Sequence, residues 1–244
     1  MKNIVFTDLD ETLFSSGDIG EPATVDKYNK YHSFCSLQKR ALLNLFEARE
    51  TIVVPVTGRN TESISRCILK EVVDSEYAIV SHGMLILDSE KKPLRAWLDY
   101  LYGKYNYDEW ETKIETTYNN IIQDLSYIIE KVNVKIIIDN GMTSHLSIKL
   151  KKEYYDSGIL ADISSYLNNE KFIDFKFHEN DRTFALLPPF CNKAKAVMFL
   201  NKMISNDCDL VFSIGDSTTD IAFMKQADYM IVPKNTQISR GIND

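Results

Sequence analysis

The sequence lacks the features that mark several classes of protein. Lys and Arg number 28 against 35 Asp and Glu, which gives a formal net charge of -7, whereas general nucleic-acid and anionic-membrane binders carry a basic excess. No apolar run approaches the roughly 20 residues that span a bilayer. The short apolar run after Lys2 ends at Asp8, which is not the pattern of a signal peptide. We therefore expect a cytoplasmic protein without a nucleic-acid or membrane partner.

Cysteine is also scarce. Cys35, Cys67, Cys191 and Cys208 are scattered, and no two of them form a C-x-x-C pair. Neither the cysteines nor the four histidines show the spacing of zinc ligands. We expect reduced thiols, as in a cytoplasmic protein.

What the chain does contain is a succession of short apolar runs. Val- and Ile-rich runs without alternation are typical of parallel strands buried on both faces. Five such runs cover residues 3–7, 51–56, 77–81, 209–214 and 229–233. Stretches with helical spacing of apolar residues cover 37–48, 60–73, 193–205 and 217–227. Alternation of strand and helix predicts an α/β fold with a doubly wound parallel sheet.

The middle of the chain has a different pattern. Helical periodicity at 108–131 and again at 156–168 is followed in each case by two strand-like runs joined by a short turn, which is typical of a hairpin. We interpret this region as an α+β insert at 84–187 that interrupts a core of 1–83 and 188–244. A chain of 244 residues is long enough for a core with a smaller insert.

Polar residues follow three of the apolar runs. The first ends in DLDET, which contains Asp8 and Asp10, the second in TGR (57–59) and the third in GDSTTD (215–220). In open α/β sheets, ligands bind beyond the carboxyl ends of the strands. We therefore expect these three segments to converge on one crevice.

Asp8 and Asp10 suggest a metal-phosphate site. Residues two apart in an extended segment point to the same side, and two neighbouring carboxylates do not both stay ionised without a cation. Mg²⁺ takes carboxylate oxygens, waters and substrate phosphate as ligands. With Mg²⁺ bound, Asp8 could act as a nucleophile and Asp10, pushed toward its protonated form, as a general acid. The alternative is that Asp8 only caps a turn after the strand.

Thr57, Gly58 and Lys193 are candidate phosphate contacts. Thr57 offers a hydroxyl, and Gly58 allows a backbone N–H to approach a phosphate oxygen closely. Lys193 stands in the first turn of a predicted helix, where a cation is unfavourable, and its ammonium could neutralise a transferring phosphoryl group. Alternatively, Thr57 caps the helix at 60–73 and Lys193 is a solvated surface residue.

Asp216 and Asp220 are candidate metal ligands. Asp216 stands at a strand end and Asp220 four residues later, so both can face one crevice. Asp216 would ligate the metal and Asp220 would orient the metal or its waters. Plain capping is the alternative for Asp216.

These residues together resemble the haloacid dehalogenase (HAD) superfamily of phosphoryl-transfer enzymes. Its four motifs appear in order as DLDET, VTGR, Lys193 after LPPFCN, and GDSTTD. The insert lies between the second and third motifs, which is similar to the C2-capped type IIB branch, with its sucrose-phosphate-phosphatase-like and Cof-like sugar phosphatases. The resemblance implies a HAD-like Rossmannoid core with an inserted C2 cap.

The resemblance also implies the chemistry. It makes Asp8 the nucleophile that becomes an aspartyl-phosphate, and Asp10 the general acid and base, whose backbone carbonyl also binds Mg²⁺. The phosphate would be held by Thr57 and Lys193, and the metal by Asp216 with support from Asp220. The implied function is Mg²⁺-dependent hydrolysis of a small phosphate monoester, by resemblance a sugar phosphate.

The sequence leaves one alternative to hydrolysis and argues against another. A sugar phosphomutase or phosphotransferase would use the same nucleophile and a different acceptor. A non-catalytic binding module would have lost the nucleophile or the acid, and neither is lost. The sequence does not determine the oligomeric state, and a monomer is compatible with it.

The sequence departs from its resemblance at two places. His82-Gly83 stands at the cap entrance, where many relatives have Asn-Gly as a substrate contact, and His82 is the candidate for that contact here. Residues 15–36 form a long segment, expected to be a surface loop or else to overhang the site and help select the substrate. Residues of the insert that could meet a polyol, each with a solvated surface position as the alternative, are His145, Lys149, Glu179 and Arg182.

Overall fold

The computed structural model describes residues 3–206 and 209–241, so Cys208 lies outside the described residues. Two compact units divide the chain. The first unit is built from Met1–Leu98 and Asn192–Asp244, and the second from Asp99–Cys191. The domain boundaries expected from the sequence, at 83/84 and 187/188, stay a prediction.

Twelve strands and nine α-helices are assigned within the described residues. In chain order the strands are β1 (Asn3–Thr7), β2 (Gly20–Val25), β3 (Tyr31–Ser36), β4 (Ile52–Pro55), β5 (Ala78–Val80), β6 (Leu85–Leu87), β7 (Val132–Asp139), β8 (Met142–Leu150), β9 (Lys176–Asn180), β10 (Thr183–Leu187), β11 (Leu210–Ile214) and β12 (Tyr229–Ile231). The helices are α1 (Leu37–Glu47), α2 (Thr61–Ile64), α3 (Lys70–Val73), α4 (Arg95–Tyr102), α5 (Tyr107–Asp124), α6 (Ser157–Leu167), α7 (Lys193–Ile204), α8 (Ile221–Met224) and α9 (Gln237–Gly241).

A parallel sheet in the order β12-β11-β1-β4 forms the centre of the first unit. Its strands are short runs of branched apolar residues, and Ile4, Phe6 and Val54 are fully buried, as expected for a sheet covered on both faces. Thr7 of β1 pairs with Ile214 of β11. The register therefore brings the carboxyl ends of the central strands to one edge, and the predicted α/β core is confirmed.

The segment at 15–36 is not a surface loop. It contains the antiparallel pair β2–β3, and the backbone N–H of Ile68 donates to the carbonyl of Ala23 at 2.8 Å. Its inward positions are held by small residues, Ala23 and Cys35 being fully buried. Small side chains give little hydrophobic alternation, so the strand pattern was not visible in the sequence.

Three predicted helices are shorter than expected. The stretch at 60–73 is split into α2 and α3, because the chain between them extends to bond with β2. The stretch at 217–227 is helical only in α8, and the backbone N–H of Ser217, ahead of that helix, donates to the side chain of Asp220. The stretch at 108–131 continues after α5 as a 3₁₀ helix at Ser126–Lys131, a common tightening at a helix end.

The second unit contains an antiparallel sheet in the order β7-β8-β10-β9. Both predicted hairpins, β7–β8 and β9–β10, are present. Helix α5 packs on β7 and β8, and its Ile114 and Ile121 are fully buried together with Leu146 and Phe184 of the sheet. The predicted α+β insert is thus confirmed as a fold.

Across the part of the chain that the structure describes, no helix combines the length and apolar character needed to cross a membrane.

Candidate active site

Asp8 lies directly beyond β1. Its backbone N–H donates to the carbonyl of Ile214 at 2.9 Å, so the parallel ladder between β1 and β11 continues one residue past the strand. This bond fixes the direction of the chain where it leaves the sheet. The Asp8 residue is only 6% exposed, which makes it a buried carboxylate at the carboxyl edge.

Lys193 joins two of the carboxylates. Its Nζ lies 2.7 Å from Asp8 Oδ1 and 2.8 Å from Asp220 Oδ1. It is the first residue of α7, whose N-cap Asn192 accepts a hydrogen bond from Lys195 N. The backbone there approaches Gly83 closely: a Cβ on Gly83, whose φ is +94°, would lie 2.5 Å from the Asn192 carbonyl. The solvated surface position considered for Lys193 is therefore wrong.

Asp216 and Asp220 lie on the loop between β11 and α8. Thr12 Oγ1, just beyond β1, donates to Asp216 Oδ1 at 3.1 Å. The backbone N–H and the hydroxyl of Ser217 donate to Asp220 Oδ2 at 3.2 and 2.9 Å. Both carboxylates are therefore oriented by neighbouring donors, and the Thr12 contact was not anticipated from the sequence.

These side chains form a compact acidic cluster. One oxygen each of Asp8, Asp216 and Asp220 lies within 4.8 Å of the others. Three ionised carboxylates and the single ammonium of Lys193 would leave a net charge of -2 in a largely buried site. The donor set consists of carboxylate oxygens, which suit a hard divalent cation, and such an ion would balance the remaining charge.

The pKa shifts show that the negative charge is incompletely compensated. Burial raises the pKa of Asp8 well above its usual range, Lys193 offsets this only in part, and Asp220 adds to it. Burial likewise raises the pKa of Asp216, with a further contribution from Asp220. Burial also acts to raise the pKa of Asp220, but the charge and the hydrogen bond of Lys193 outweigh it and hold that pKa below its usual value. More positive charge is needed to keep all three ionised.

Thr57 and Gly58 follow the next strand of the sheet, β4. Thr57 is 1% exposed, and its Oγ1 accepts from the backbone N–H of Arg59 at 3.1 Å. Asn60 caps α2, so the alternative in which Thr57 is the cap is wrong. A Cβ on Gly58 would lie 2.6 Å from the imidazole of His82. A side chain at position 58 would therefore require the His82 ring to move, a contact that the sequence did not suggest.

His82 belongs to a strained turn beside this loop. Ser81, His82 and Gly83 have φ values of 49°, 56° and 94°, and the first two are unusual for residues with a side chain. The backbone N–H groups of Ser81 and His82 donate to the carbonyls of Arg59 and Thr57 at 2.7 and 3.1 Å. The turn thus fixes the loop at 57–59, and the predicted substrate contact of His82 stays a prediction.

Asp10 has a cationic partner that the sequence reading missed. Arg59 donates from Nε and Nη2 to the two oxygens of Asp10 at 2.8 and 2.6 Å. Asp10 is not a member of the acidic cluster. The sequence analysis considered only the repulsion between the carboxylates of Asp8 and Asp10. It did not consider that a guanidinium bonds Asp10. Arg59 is visible in the sequence as the arginine of the VTGR motif, but the motif does not select Asp10 as its partner.

The remaining predicted residues lie in the second unit. Arg182 Nη1 donates to the Leu150 carbonyl at 2.8 Å, and Ser164 donates to Glu179 at 2.7 Å. Lys149 is exposed, whereas His145 is buried at 5% exposure. The solvated surface position given as the alternative for His145 is therefore wrong, and its contact with a polyol stays a prediction. The substrate contact of Arg182 stays a prediction.

Comparisons with known proteins bear on the family and the fold of the chain. A sequence profile described as haloacid dehalogenase-like hydrolase matches residues 5–237. No curated protein sequence matches the chain.

Solved structures share the fold at low sequence identity. The C-terminal domain of C. albicans trehalose-6-phosphate phosphatase has a TM-score of 0.58 and 16% identity, over 92% of this chain and 73% of that one. The sucrose-phosphatase of Synechocystis, solved with sucrose and phosphate, has a TM-score of 0.55 and 15% identity over 100% and 96%. A hypothetical protein of Geobacillus kaustophilus has a TM-score of 0.52 and 15% identity over 100% and 98%. These likenesses show the architecture of the chain.

Proposed function

The chain belongs to the haloacid dehalogenase-like hydrolase family, and on that premise we propose that it is a Mg²⁺-dependent phosphatase of a small phosphate monoester. The observation that carries this proposal is the bridge from Lys193 to Asp8 at 2.7 Å and to Asp220 at 2.8 Å. A cation fixed against a buried carboxylate is suited to transferring an anionic group onto that carboxylate.

The first step uses Asp8 as the nucleophile. A carboxylate oxygen of Asp8 attacks phosphorus in line with the ester bond. The bond from phosphorus to the leaving oxygen breaks, and its electron pair stays on that oxygen. Lys193 and the hydroxyl of Thr57 stabilise the charge on the transferring phosphoryl oxygens. The product is an aspartyl-phosphate on Asp8 and a free alcohol.

Asp10 acts as the general acid in the first step and as the general base in the second. It donates a proton to the leaving oxygen as the ester bond breaks. It then accepts a proton from the water that attacks the phosphorus of the aspartyl-phosphate. Phosphate departs, and Asp8 returns to its carboxylate form.

The acidic cluster fits a magnesium ion. Asp8, Asp216 and Asp220 would hold it, with the backbone carbonyl of Asp10 as a further ligand. When bound, the ion supplies positive charge that orients and neutralises phosphoryl oxygens. The net charge of -2 counted for the cluster supports a divalent ion rather than a second lysine.

A sugar phosphate is the proposed substrate class. The structures that share this fold include a trehalose-6-phosphate phosphatase and a sucrose-phosphatase. The net charge of -7 is consistent with a small-molecule partner in preference to nucleic acid. A cytoplasmic location remains part of the proposal.

The test is a panel of phosphate monoesters, assayed for released phosphate with Mg²⁺ and with excess chelator. We expect turnover with Mg²⁺, its loss in chelator and its return when Mg²⁺ is restored. Analysis of the products separates hydrolysis from the alternative, since a phosphomutase yields an isomeric sugar phosphate in place of free phosphate. Undiminished turnover in excess chelator would exclude the role proposed for the metal.

A further inference from the structure

The pair between Arg59 and Asp10 has a geometry that the reaction above leaves unexplained. Arg59 Nε lies 2.8 Å from Asp10 Oδ2, and Nη2 lies 2.6 Å from Oδ1. Each carboxylate oxygen therefore accepts from a different nitrogen of one guanidinium. Two parallel hydrogen bonds of this kind fix direction as well as adding energy.

Arg59 is the fixed member of this pair. Its guanidinium carbon lies 5.2 Å from the centre of the Phe14 ring, which is fully buried, and its Nη1 lies 3.5 Å from the Ser63 carbonyl. The side chain of Arg59 is 16% exposed, whereas that of Asp10 is 43% exposed. An exposed carboxylate is thus held by a cation that is itself packed in place.

We propose that Arg59 is a positioning residue for Asp10 in proton transfer to and from the reacting oxygens; this rests on the proposed function. The paired geometry matches the carboxylate form of Asp10, which is the form left when its proton has bonded to the leaving oxygen. Arg59 stabilises that carboxylate and keeps it oriented. The same orientation then serves the second step, in which Asp10 accepts a proton from water.

The charge of Arg59 alone does not explain the arrangement. A lysine would supply one point of contact, whereas the guanidinium presents a rigid fork that matches both carboxylate oxygens. Two of the three guanidinium nitrogens already bond Asp10, so the group is oriented toward the acid. The phosphoryl oxygens have Lys193 and Thr57 as their proposed partners.

The test compares kcat/KM for two classes of ester. Departure of a sugar alkoxide needs a proton, whereas departure of p-nitrophenolate needs little help. For Arg59→Gln we expect a loss of about 100-fold on glucose 6-phosphate, or on whichever sugar phosphate is turned over, since positioned acids contribute roughly that much or more. On p-nitrophenyl phosphate we expect a loss of less than about 5-fold, with the inhibition constant of inorganic phosphate unchanged within about twofold. Arg59→Lys should not restore turnover of the sugar phosphate.

Matched variants make this result specific. Arg66→Gln removes a neighbouring arginine whose 2.7 Å pair with Glu62 is exposed, and it should change neither substrate's kinetics. Equal losses on both esters together with weaker binding of inorganic phosphate would assign Arg59 to the phosphoryl group and overturn the proposal. A double variant of Arg59 and Asp10 that is slower than Asp10→Asn alone would also contradict it.

A thermal measurement tests the pair without any turnover. Arg59→Gln should lower Tm in the wild-type background and have a smaller effect in an Asp10→Asn background, because the partner is already lost. The same shift in both backgrounds would overturn the proposal. If no ester in the panel is hydrolysed, the proposed function fails, and this thermal cycle still decides whether Arg59 holds Asp10.

Discussion

Each unit contains a cluster of buried polar side chains, and the two clusters differ in charge. In the first unit, Asp8, Asp216 and Asp220 share the single ammonium of Lys193. In the second unit, Ser144 Oγ lies 2.8 Å from His145 Nδ1 and 3.5 Å from Cys191 Sγ. Burial lowers the pKa of His145 to about 3 and raises that of Cys191 to about 12. The second cluster is therefore neutral at ordinary pH.

The difference in charge indicates different roles for the two clusters: the neutral one is compatible with a purely structural role, and the charged one is not. A neutral group whose hydrogen bonds are made is compatible with a stable core. Buried charges that are only partly neutralised destabilise the folded state. Such a cluster persists where its function needs it, and charge imbalance is most common at active sites. The acidic cluster of the first unit has this character, and the cluster in the second unit does not.

The sharpest test of the comparison is Asp8→Asn. This change removes the proposed nucleophile at constant size, and we expect kcat to fall by about 10⁴-fold or more. In chelator, Tm should rise. The folded-state pKa of Asp8 is raised, so its carboxylate form at pH 7 opposes folding, and a neutral amide removes that penalty.

A control for this variant is Asp228→Asn. Asp228 accepts from Val211 N at 2.9 Å near the start of β11, away from the carboxyl edge of the sheet. The Asp228→Asn variant should retain the wild-type kcat and show a slightly lower Tm. If Asp8→Asn turned over near the wild-type rate, Asp8 would not be the nucleophile.

Lys193→Met should have the largest effect on stability. It leaves the carboxylates of Asp8 and Asp220 buried without their cation, and breaking a buried pair in this way costs about 3–5 kcal/mol. We expect that loss in the free energy of unfolding at pH 7 in chelator, measured by urea titration. Mg²⁺ should recover part of it by binding the folded state.

Lys202→Met is the matched change at the other end of the same helix. Lys202 is exposed in the last turn of α7, and its replacement should stay within about 0.5 kcal/mol. An equal effect of the two substitutions would remove the distinction between the charged cluster and an ordinary surface.

The first cluster could be predicted because its residues stand directly beyond apolar strands. Asp8 follows β1 and Asp216 follows β11, and parallel strands carry such residues to the same edge of a sheet. Lys193 was predicted for a related reason, since a lysine in the first turn of a helix opposes the helix dipole. Charged residues at positions that are locally unfavourable, such as a lysine at the start of a helix, therefore indicated where the site lies.

The individual side-chain partners around the cluster could not be predicted. The Arg59–Asp10 pair joins residues 49 apart, and nothing in the spacing of a TGR motif selects that partner. Nor did the sequence show that the ring of His82 lies against Gly58, since this depends on a turn with three positive φ values. The β2–β3 pair was missed because its buried positions are small and its pattern lacks hydrophobic alternation.

The neutral cluster was missed for another reason. His145 was predicted as a residue near a hairpin that could meet a polyol, with a solvated surface position as the alternative. In the structure Ser144 and His145 are adjacent and both buried, so burial in β8 does not follow strict alternation here. A register shift in the β7–β8 pair between Ile137 and Ile138 locally alters which side chains face the interior.

The smallest expected effect comes from His145→Gln, which tests whether the second cluster is neutral. The native pKa of His145 is about 3, set by burial and then by the charge of His178, while an unfolded histidine titrates near 6.5. As the pH falls below 6.5, His145 binds a proton in the unfolded chain but stays neutral in the folded protein. The free energy of unfolding therefore falls. For this one residue the loss between pH 7 and pH 5 is about 2 kcal/mol.

The variant should therefore lose less stability than the wild type over that interval, because glutamine does not titrate. The quantity to compare is the change in the free energy of unfolding between pH 7 and pH 5, so that other titrating groups cancel. Catalysis at pH 7 should be unaffected. Identical pH slopes would mean that His145 takes up its proton in the folded state, and the second cluster would then carry charge as the first one does.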